Sequence, residues 1–270
     1  MFKLILLAMA VLFLLPSPLV LFGILFNWRT VRNRPTDQIL RELGGAIVSA
    51  GMSLFIAVCT RPFTFLNRLP LFAKGSDQRP ILMVHGLYHN RTAWLFMKHR
   101  LNREGFGSLY TWQYNSFITS YPELVLALRR EIRRIYEESG EEQVTLVGHS
   151  LGGLLISGAS ADLQVEKMVR GLITLGTPFK GSILAVMAPG RLGRSLHPES
   201  ALFRGENRIT YPDIAKTAII SPTDEMVLPW ENLEPDPDKW DIVRCSAMGH
   251  VAMLYSRKVS ATVGRLIKRM

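Results

Sequence analysis

Ser150 lies between two glycines where a strand-like run meets a helix-like run, in the segment VTLVGHSLGGLLISG, residues 144–158. The first four residues favour a buried strand, and the apolar residues after the glycines favour a helix. Gly148, Ser150 and Gly152 form the pattern G-x-S-x-G, in which a strained strand-to-helix turn holds a serine hydroxyl clear of the sheet. Glycine accepts the unusual backbone angles and close approach of such a turn. Ser150 is therefore predicted to be a nucleophile, and a capping serine in a glycine-rich turn is the alternative.

A serine hydroxyl is a weak nucleophile that needs a base, and the base needs a third group to orient it. Among six histidines, His250 in SAMGHVAML is the candidate base, because it follows the last predicted strand and precedes the last predicted helix. His149, inside the turn, is expected to point away from the serine. Asp224 in TAIISPTDEMVLPW follows an earlier strand and is the candidate acid, with Glu225 and Asp213 as rivals. A helix-capping histidine and a turn aspartate are the alternatives.

An ester carbonyl attacked by serine becomes an oxyanion, which two hydrogen-bond donors must stabilise. The first candidate donor is the N–H of Leu151, directly after the serine and at the start of the predicted helix. The second is the N–H of Leu87, in the loop of ILMVHGLYHN that follows the first strand of the domain. Gly86 in that loop would let the backbone turn in close to the serine.

Strand-like and helix-like segments alternate from residue 79 to the end of the chain. Strands separated by helices predict a mostly parallel sheet with helices on both faces, and such sheets carry their sites outside the carboxyl ends of the strands. Strands are predicted at 81–84, 108–114, 144–147, 171–175, 216–220 and 240–245, and helices at 92–103, 122–138 and 251–268.

Five segments in this order, VHGLYHN, VGHSLGG, LGTPFKGS, SPTDEMVLP and GHVAML, resemble the α/β-hydrolase family, and its lipase and esterase branch in particular. The resemblance covers the chain from about residue 79 onward. It implies an α/β-hydrolase fold with Ser150 as nucleophile, His250 as base, Asp224 as orienting acid, and Leu87 and Leu151 as oxyanion donors. It implies no metal and no organic cofactor.

The amino-terminal part of the chain resembles no part of the soluble lipases. Residues 4–26 carry no charge, and 23 residues of helix are long enough to cross a bilayer core. A cleaved signal peptide is the alternative, but its small-x-small site, Ala8-Met9-Ala10, lies inside the apolar run, which favours a retained anchor. A second uncharged run, 43–60, is rich in small residues. It could pair with the first run as a membrane hairpin, or be a buried or interfacial helix.

The expected organisation is a membrane-anchoring region of one or two helices over residues 1–60, a linker over 61–78 and a catalytic domain over 79–270. Within that domain, residues 182–212 are a candidate lid, because the segment starts apolar and then becomes basic. An ordinary surface insertion is the alternative. The apolar face of the lid would comprise Ile183, Leu184, Val186 and Met187.

The net charge of +10 favours an anionic partner. The arginines are scattered and no basic motif is interleaved with aromatic residues, so an anionic membrane surface is favoured over nucleic acid. Four arginines lie between the two apolar runs, which favours a cytoplasmic position for this link. If the second run also crosses, the catalytic domain lies outside, which would be the periplasm if the source is a Gram-negative bacterium. If it does not cross, the domain stays cytoplasmic.

These inferences predict a membrane-anchored serine hydrolase that cleaves carboxylic esters of lipids, or other acyl esters, through an acyl-enzyme. Two alternatives stay open. An acyltransferase or a thioesterase would use the same three residues. A catalytically idle hydrolase-like module would serve only as a membrane interaction domain.

Overall fold

The computed structural model describes residues 17–60, 77–204 and 210–270. Its six strands form one sheet in the order β2-β1-β3-β4-β5-β6, and all neighbouring pairs are parallel. The strands are β1 Ile81–Val84, β2 Leu109–Trp112, β3 Val144–His149, β4 Val169–Leu175, β5 Lys216–Ile220 and β6 Asp241–Arg244.

Helices flank the sheet and precede it. Short 3-10 turns cover Arg91–Trp94, Ile183–Met187, Trp230–Leu233 and Val251–Leu254. The α-helices are α1 Ser17–Phe26, α2 Trp28–Val31, α3 Thr36–Thr60, α4 Leu95–Arg103, α5 Tyr121–Glu138, α6 Leu151–Ser160, α7 Leu163–Glu166, α8 Gly190–Arg194 and α9 Arg257–Arg269.

Helices bury both faces of the sheet, and successive side chains of a strand point to opposite faces. In β1, Leu82 and Val84 pack with α5 and α6, whereas Ile81 and Met83 pack with α4 and α9. Central strands covered on both sides are continuous apolar runs, and β1 is buried at every position. The sequence prediction of a parallel sheet with helices on both faces is confirmed.

The last predicted helix differs from the observed one. Residues 251–268 were expected as a single helix, but Val251–Leu254 is a 3-10 turn and α9 begins only at Arg257. Ser256 separates the two because it is the amino-terminal cap of α9, and its hydroxyl accepts a hydrogen bond from the N–H of Val259. His250 therefore lies in a turn ahead of the helix.

The amino-terminal helices pack against the hydrolase domain. Within the described residues, α3 is the one helix that is long and apolar enough to cross a membrane by its length and composition. Its small residues Ala46, Ala50 and Ser53 are buried, whereas Val48 and Val58 are exposed. Residues 1–16 of the predicted anchor and 61–76 of the predicted linker lie outside the described residues.

Candidate active site

Ser150 occupies the corner between β3, which ends at His149, and α6, which begins at Leu151. Its backbone angles, φ 54° and ψ −125°, fall in a region that side-chain-bearing residues seldom adopt. Its N–H donates to the carbonyl of Leu175 at the end of β4, at 2.8 Å. Strain of this kind persists only where the surrounding structure holds it, and it occurs most often at functional sites.

The glycines on either side of Ser150 leave no space for a side chain. A Cβ at Gly148 would lie 2.6 Å from the main chain of Gly152, where the strand and helix cross. A Cβ at Gly152 would overlap the carbonyl oxygen of Val84 in β1. Close approach of the main chain therefore accounts for both glycines of the predicted elbow.

The predicted base and acid lie together. The ring Nδ1 of His250 is 2.6 Å from Oδ2 of Asp224, and both side chains are buried. The second carboxylate oxygen of Asp224 accepts the N–H groups of Met226 at 2.9 Å and Val227 at 3.0 Å. Asp224 is thus held by its own turn, after β5, so that one oxygen faces the imidazole. The rival Asp213 is exposed and lies before β5.

Two further side chains hold the main chain of His250. The carboxylate of Glu225 accepts the N–H of His250 at 2.9 Å. The ring Nε2 of His149 lies 3.1 Å from the carbonyl oxygen of His250, and the two rings are 4.7 Å apart. A carbonyl can only accept, so His149 donates through Nε2. The sequence predicts Glu225 only as a rival acid and predicts no role for His149. The position of His149 next to Ser150 is the one sequence feature that points to a role for this histidine.

The electrostatics around His250 favour its charged form more than burial opposes it. Burial alone would lower the pKa of His250, but the carboxylates of Asp224 and Glu225 outweigh this effect and hold the pKa above its ordinary value of 6.5. Burial and the neighbouring Asp224 raise the pKa of Glu225 to about 7. Burial, reinforced by His250, lowers the pKa of His149 well below 6.5, so that this ring is neutral.

The two predicted oxyanion donors belong to segments that adjoin Ser150. Leu151 is the first residue of α6, where a helical N–H has no partner inside the helix. Leu87 follows Gly86, and a Cβ on Gly86 would lie 2.9 Å from Cβ of Ser150, so this loop passes directly against the serine. Within the described ranges, the N–H of Leu87 donates no hydrogen bond.

The Ser150 hydroxyl makes no hydrogen bond to His250 in the part of the chain that the structure describes. Such bonds are often long before a substrate binds and tighten in the complex. Cavities of about 660 and 950 Å³ lie elsewhere, lined in part by Tyr121 and Tyr211 respectively, and not by Ser150. Among the described residues, no group of three or more His, Cys, Asp or Glu side chains could hold a metal ion.

The candidate lid is divided in two by its packing. Ile183 and Leu184 are partly buried against the cluster that the amino-terminal helices form with Leu228 and Trp230, whereas Val186 and Met187 are exposed. The hydroxyl of Ser182 donates to the carbonyl of Met226 at 2.8 Å, which attaches the start of the segment to the acid turn. The apolar face predicted from sequence is therefore half buried, and a lid remains a prediction.

Curated relatives share only part of this chain. It is 37% identical over 76 residues to Phospholipase A(1) LCAT3 of Arabidopsis thaliana, covering 27% of this chain and 15% of that protein. It is 33% identical over 70 residues to Lecithin-cholesterol acyltransferase-like 4 of the same plant, covering 25% of this chain and 12% of that protein. The chain thus matches no more than 15% of the length of these relatives.

Among solved structures, the mature form of lipase BlEst2 from Bacillus licheniformis is similar in fold. It aligns with a TM-score of 0.57 at 18% identity, covering 72% of this chain and 94% of that lipase. A sequence model described as the alpha/beta hydrolase family matches residues 81–262, which is more than half of the chain. The strand order, the strained serine corner and this match lead to one conclusion: the protein belongs to the alpha/beta hydrolase family.

Proposed function

We propose that this protein is a serine ester hydrolase that acts on lipids or other acyl esters through an acyl-enzyme. The observation that carries the proposal is the buried 2.6 Å contact between His250 and Asp224, at the same sheet edge as the strained corner of Ser150. The serine, the carboxylate and the imidazole each follow a separate strand, in the chain order Ser, Asp, His. This is the order in which this fold carries the nucleophile, the acid and the base of acyl transfer.

In the proposed reaction, the Ser150 hydroxyl attacks the ester carbonyl and its proton passes to Nε2 of His250. Asp224 keeps the Nδ1 proton in place, which leaves Nε2 as the free acceptor, and it stabilises the imidazolium that forms. His250 then returns the proton to the departing alcohol. In the second half, water attacks the acyl-serine, His250 takes the proton of that water, and the carboxylic acid leaves as Ser150 recovers its hydrogen.

Oxyanion stabilisation comes in this proposal from the main-chain N–H groups of Leu87 and Leu151. The amino-terminal end of α6 adds a positive dipole end beside Ser150. Fixed donors aimed at developing charge are worth a factor of about 10² to 10³ in turnover each. Main-chain donors fit this role because no side chain has to be reorganised as the charge develops.

A lipid or other apolar acyl ester is the substrate class that the surface near this edge supports. Loops that follow the carboxyl ends of β2, β4 and β5 expose large apolar side chains. Tyr88 links two of these loops, because its ring stacks on Phe117 at 5.1 Å and its hydroxyl donates to the carbonyl of Pro189. We refer to this exposed set as the apolar rim: Phe117, Ile118, Val186, Met187 and Met226.

Membrane association is part of the same proposal. Exposed apolar patches commonly mark contacts with a membrane or another protein, and helices α1 and α3 expose Leu21, Phe22, Leu25, Val48 and Val58. The positive-inside preference assigns the arginine-rich link between them to the cytoplasmic side. Cell fractionation tests the association: the full chain should sediment with membranes and be released by detergent, not by high salt. Recovery of the intact chain in the soluble fraction would contradict it.

A fluorophosphonate probe tests the nucleophile. The detergent-solubilised protein should be labelled, and Ser150→Ala should lose both labelling and ester hydrolysis, by a factor of about 10⁴ to 10⁶ in turnover. Ser160→Ala is the matched control, because Ser160 is a buried serine at the other end of α6. Labelling that persists in Ser150→Ala would assign the nucleophile elsewhere, and an unreactive wild type would indicate the idle module.

The substrate is tested with a panel of acyl esters that runs from short and soluble to long and micellar. The proposal predicts that kcat/KM rises with chain length and is higher on micelles. Addition of an alcohol acceptor separates hydrolysis from acyl transfer, since a transferase would form a new ester faster than free acid. Preference for thioesters over oxygen esters at equal chain length would indicate a thioesterase.

A further inference from the structure

The amino-terminal helices pack on the two turns that carry the predicted acid and base. Val20 and Ile24 of α1 and Ala46 and Ala50 of α3 form one buried cluster with Leu228 and Trp230, which follow Asp224. Small residues on α3 allow its backbone to approach the hydrolase domain closely. The segment predicted to anchor the protein is therefore in direct contact with the active-site turns.

On the base side, α3 holds the residue before His250. The hydroxyl of Ser49 accepts the N–H of Gly249 at 2.7 Å, while its own proton goes to the carbonyl of Ala46 at 3.0 Å. The next N–H along the chain, that of His250, goes to Glu225. Two consecutive main-chain N–H groups are thus held by side chains from two different parts of the chain, one from the hydrolase domain and one from α3.

The space around Gly249 shows how closely this turn is confined. A Cβ at this position would lie 3.1 Å from both carboxylate oxygens of Glu225 and 3.2 Å from Cβ of Ala50. A side chain at position 249 would therefore crowd both Glu225 and α3. The carbonyl of His250 is held in addition by His149.

On the acid side, a parallel contact comes from Asn27, between α1 and α2. Its side-chain oxygen accepts the N–H of Trp230 at 3.1 Å, and its amide donates to the carbonyl of Gly23 at 2.7 Å. The indole N–H of Trp230 in turn donates to the main-chain carbonyl of Asp224 at 2.7 Å. Asn27 is buried, so these bonds are shielded from water.

We propose that Ser49 is a positioning residue for His250, and that the docked amino-terminal helices are part of the active-site scaffold as well as the membrane attachment. This inference rests on the proposed function, because it assigns His250 as the base. Ser49 touches no reacting atom; it acts by fixing the turn from which the imidazole projects. Displacement of α3 from the domain would release that turn and misplace Nε2 relative to Ser150.

The test compares Ser49→Ala with Ser53→Ala in the full-length protein. The two serines lie one turn apart on α3, and each donates to the carbonyl three residues earlier. Of the two, only Ser49 bonds the turn before His250. Loss of the partly buried hydrogen bond between Ser49 and Gly249 should slow fluorophosphonate labelling about tenfold in Ser49→Ala. Ser53→Ala should stay within about twofold of the wild type.

Steady-state kinetics on a short soluble ester separate positioning from general destabilisation. In Ser49→Ala, kcat should fall about tenfold while KM stays within about twofold, with both variants assayed well below their melting temperatures. Ser49→Thr, which keeps the hydroxyl, should recover part of the rate. Equal labelling rates in Ser49→Ala and Ser53→Ala would overturn the inference while leaving the proposed function intact. An unreactive wild type, in contrast, would remove the proposed function itself.

Discussion

The carboxylate of Glu225 accepts the main-chain N–H of His250 at 2.9 Å, while the adjacent Asp224 bonds the ring of the same histidine. Two neighbouring carboxyl groups thus serve different parts of one residue. Only Asp224 reaches the imidazole, so only it can fix which ring nitrogen carries the proton. Glu225 raises the pKa of the His250 ring through its charge, and it holds the main chain of His250 through its hydrogen bond.

The pH dependence of activity should reveal the charge of Glu225. The proposed base His250 would act only when neutral, so kcat/KM should fall as the pH drops through its pKa, which lies above 6.5. Glu225→Gln removes the negative charge that Glu225 carries near the ring above its own pKa, and it should lower the pKa of His250 and move the acid limb to lower pH. The plateau rate should stay within about tenfold. An unchanged or upward-shifted limb in a kcat/KM profile would contradict this assignment.

The stability of the protein should depend on pH through the same residue. The pKa of Glu225 is about 7 in the folded state, above its ordinary value of 4.5. A raised pKa means that the contribution of Glu225 to folding is full below 4.5 and is lost as the pH rises through 7. The melting temperature of Glu225→Gln relative to the wild type should therefore increase between pH 5 and pH 8, by at least about 2 °C. A constant difference across this range would count against the raised pKa.

Asp224→Asn should reduce kcat about 10⁴-fold with little change in KM, because an amide no longer stabilises the imidazolium or fixes the productive tautomer. Asp213→Asn is the control, since Asp213 is exposed and lies on the far side of β5. Its kcat on the same soluble ester should match the wild type within about twofold. If the large loss appeared in Asp213→Asn instead, Asp224 would not be the acid.

Gly152→Ala should unfold or strongly destabilise the protein, because the added methyl group overlaps the carbonyl oxygen of Val84. We expect a loss of about 3 kcal/mol or more in the free energy of unfolding. Gly44→Ala makes the same chemical change in α3, where a Cβ meets nothing within 4 Å. It should be neutral or stabilising by up to about 1 kcal/mol. Denaturant unfolding of both variants in detergent decides the comparison.

The apolar rim should matter for aggregated substrates. Replacing Val186 and Met187 together by serine removes two exposed apolar side chains. The ratio of kcat/KM on a micellar long-chain ester to that on a soluble short-chain ester should fall about tenfold, since less apolar area is buried against the micelle. Replacing Leu126 and Leu163 by serine, two exposed residues on α5 and α7, should leave the ratio unchanged. A similar fall in both double variants would indicate a general surface effect.

The local sequence pattern by itself determined the main features of the hydrolase domain. The serine corner, the six strands and the positions of Asp224 and His250 are readable because a strand, a turn and a helix each leave a signal within about ten residues. Gly148 and Gly152 indicate from the sequence alone that two main-chain segments approach closely at this turn. A parallel sheet then brings the carboxyl ends of its strands to one edge, which is why residues 74 positions apart, Ser150 and Asp224, could be assigned to one site.

Only the tertiary structure decided what surrounds those residues. Ser49 and Gly249 are 200 positions apart, and Asn27 and Trp230 are 203 apart, so no local signal connects them. The apolar run that contains Ser49 is predicted to be a membrane segment from its hydropathy. Hydropathy indicates that burial away from water is favourable, but it does not indicate whether lipid or protein covers the segment. Whether lipid or protein covers this segment depends on the shape of the surfaces that pack together and on hydrogen bonds between individual polar groups. These properties are defined only in the folded chain, where distant parts of the sequence are in contact.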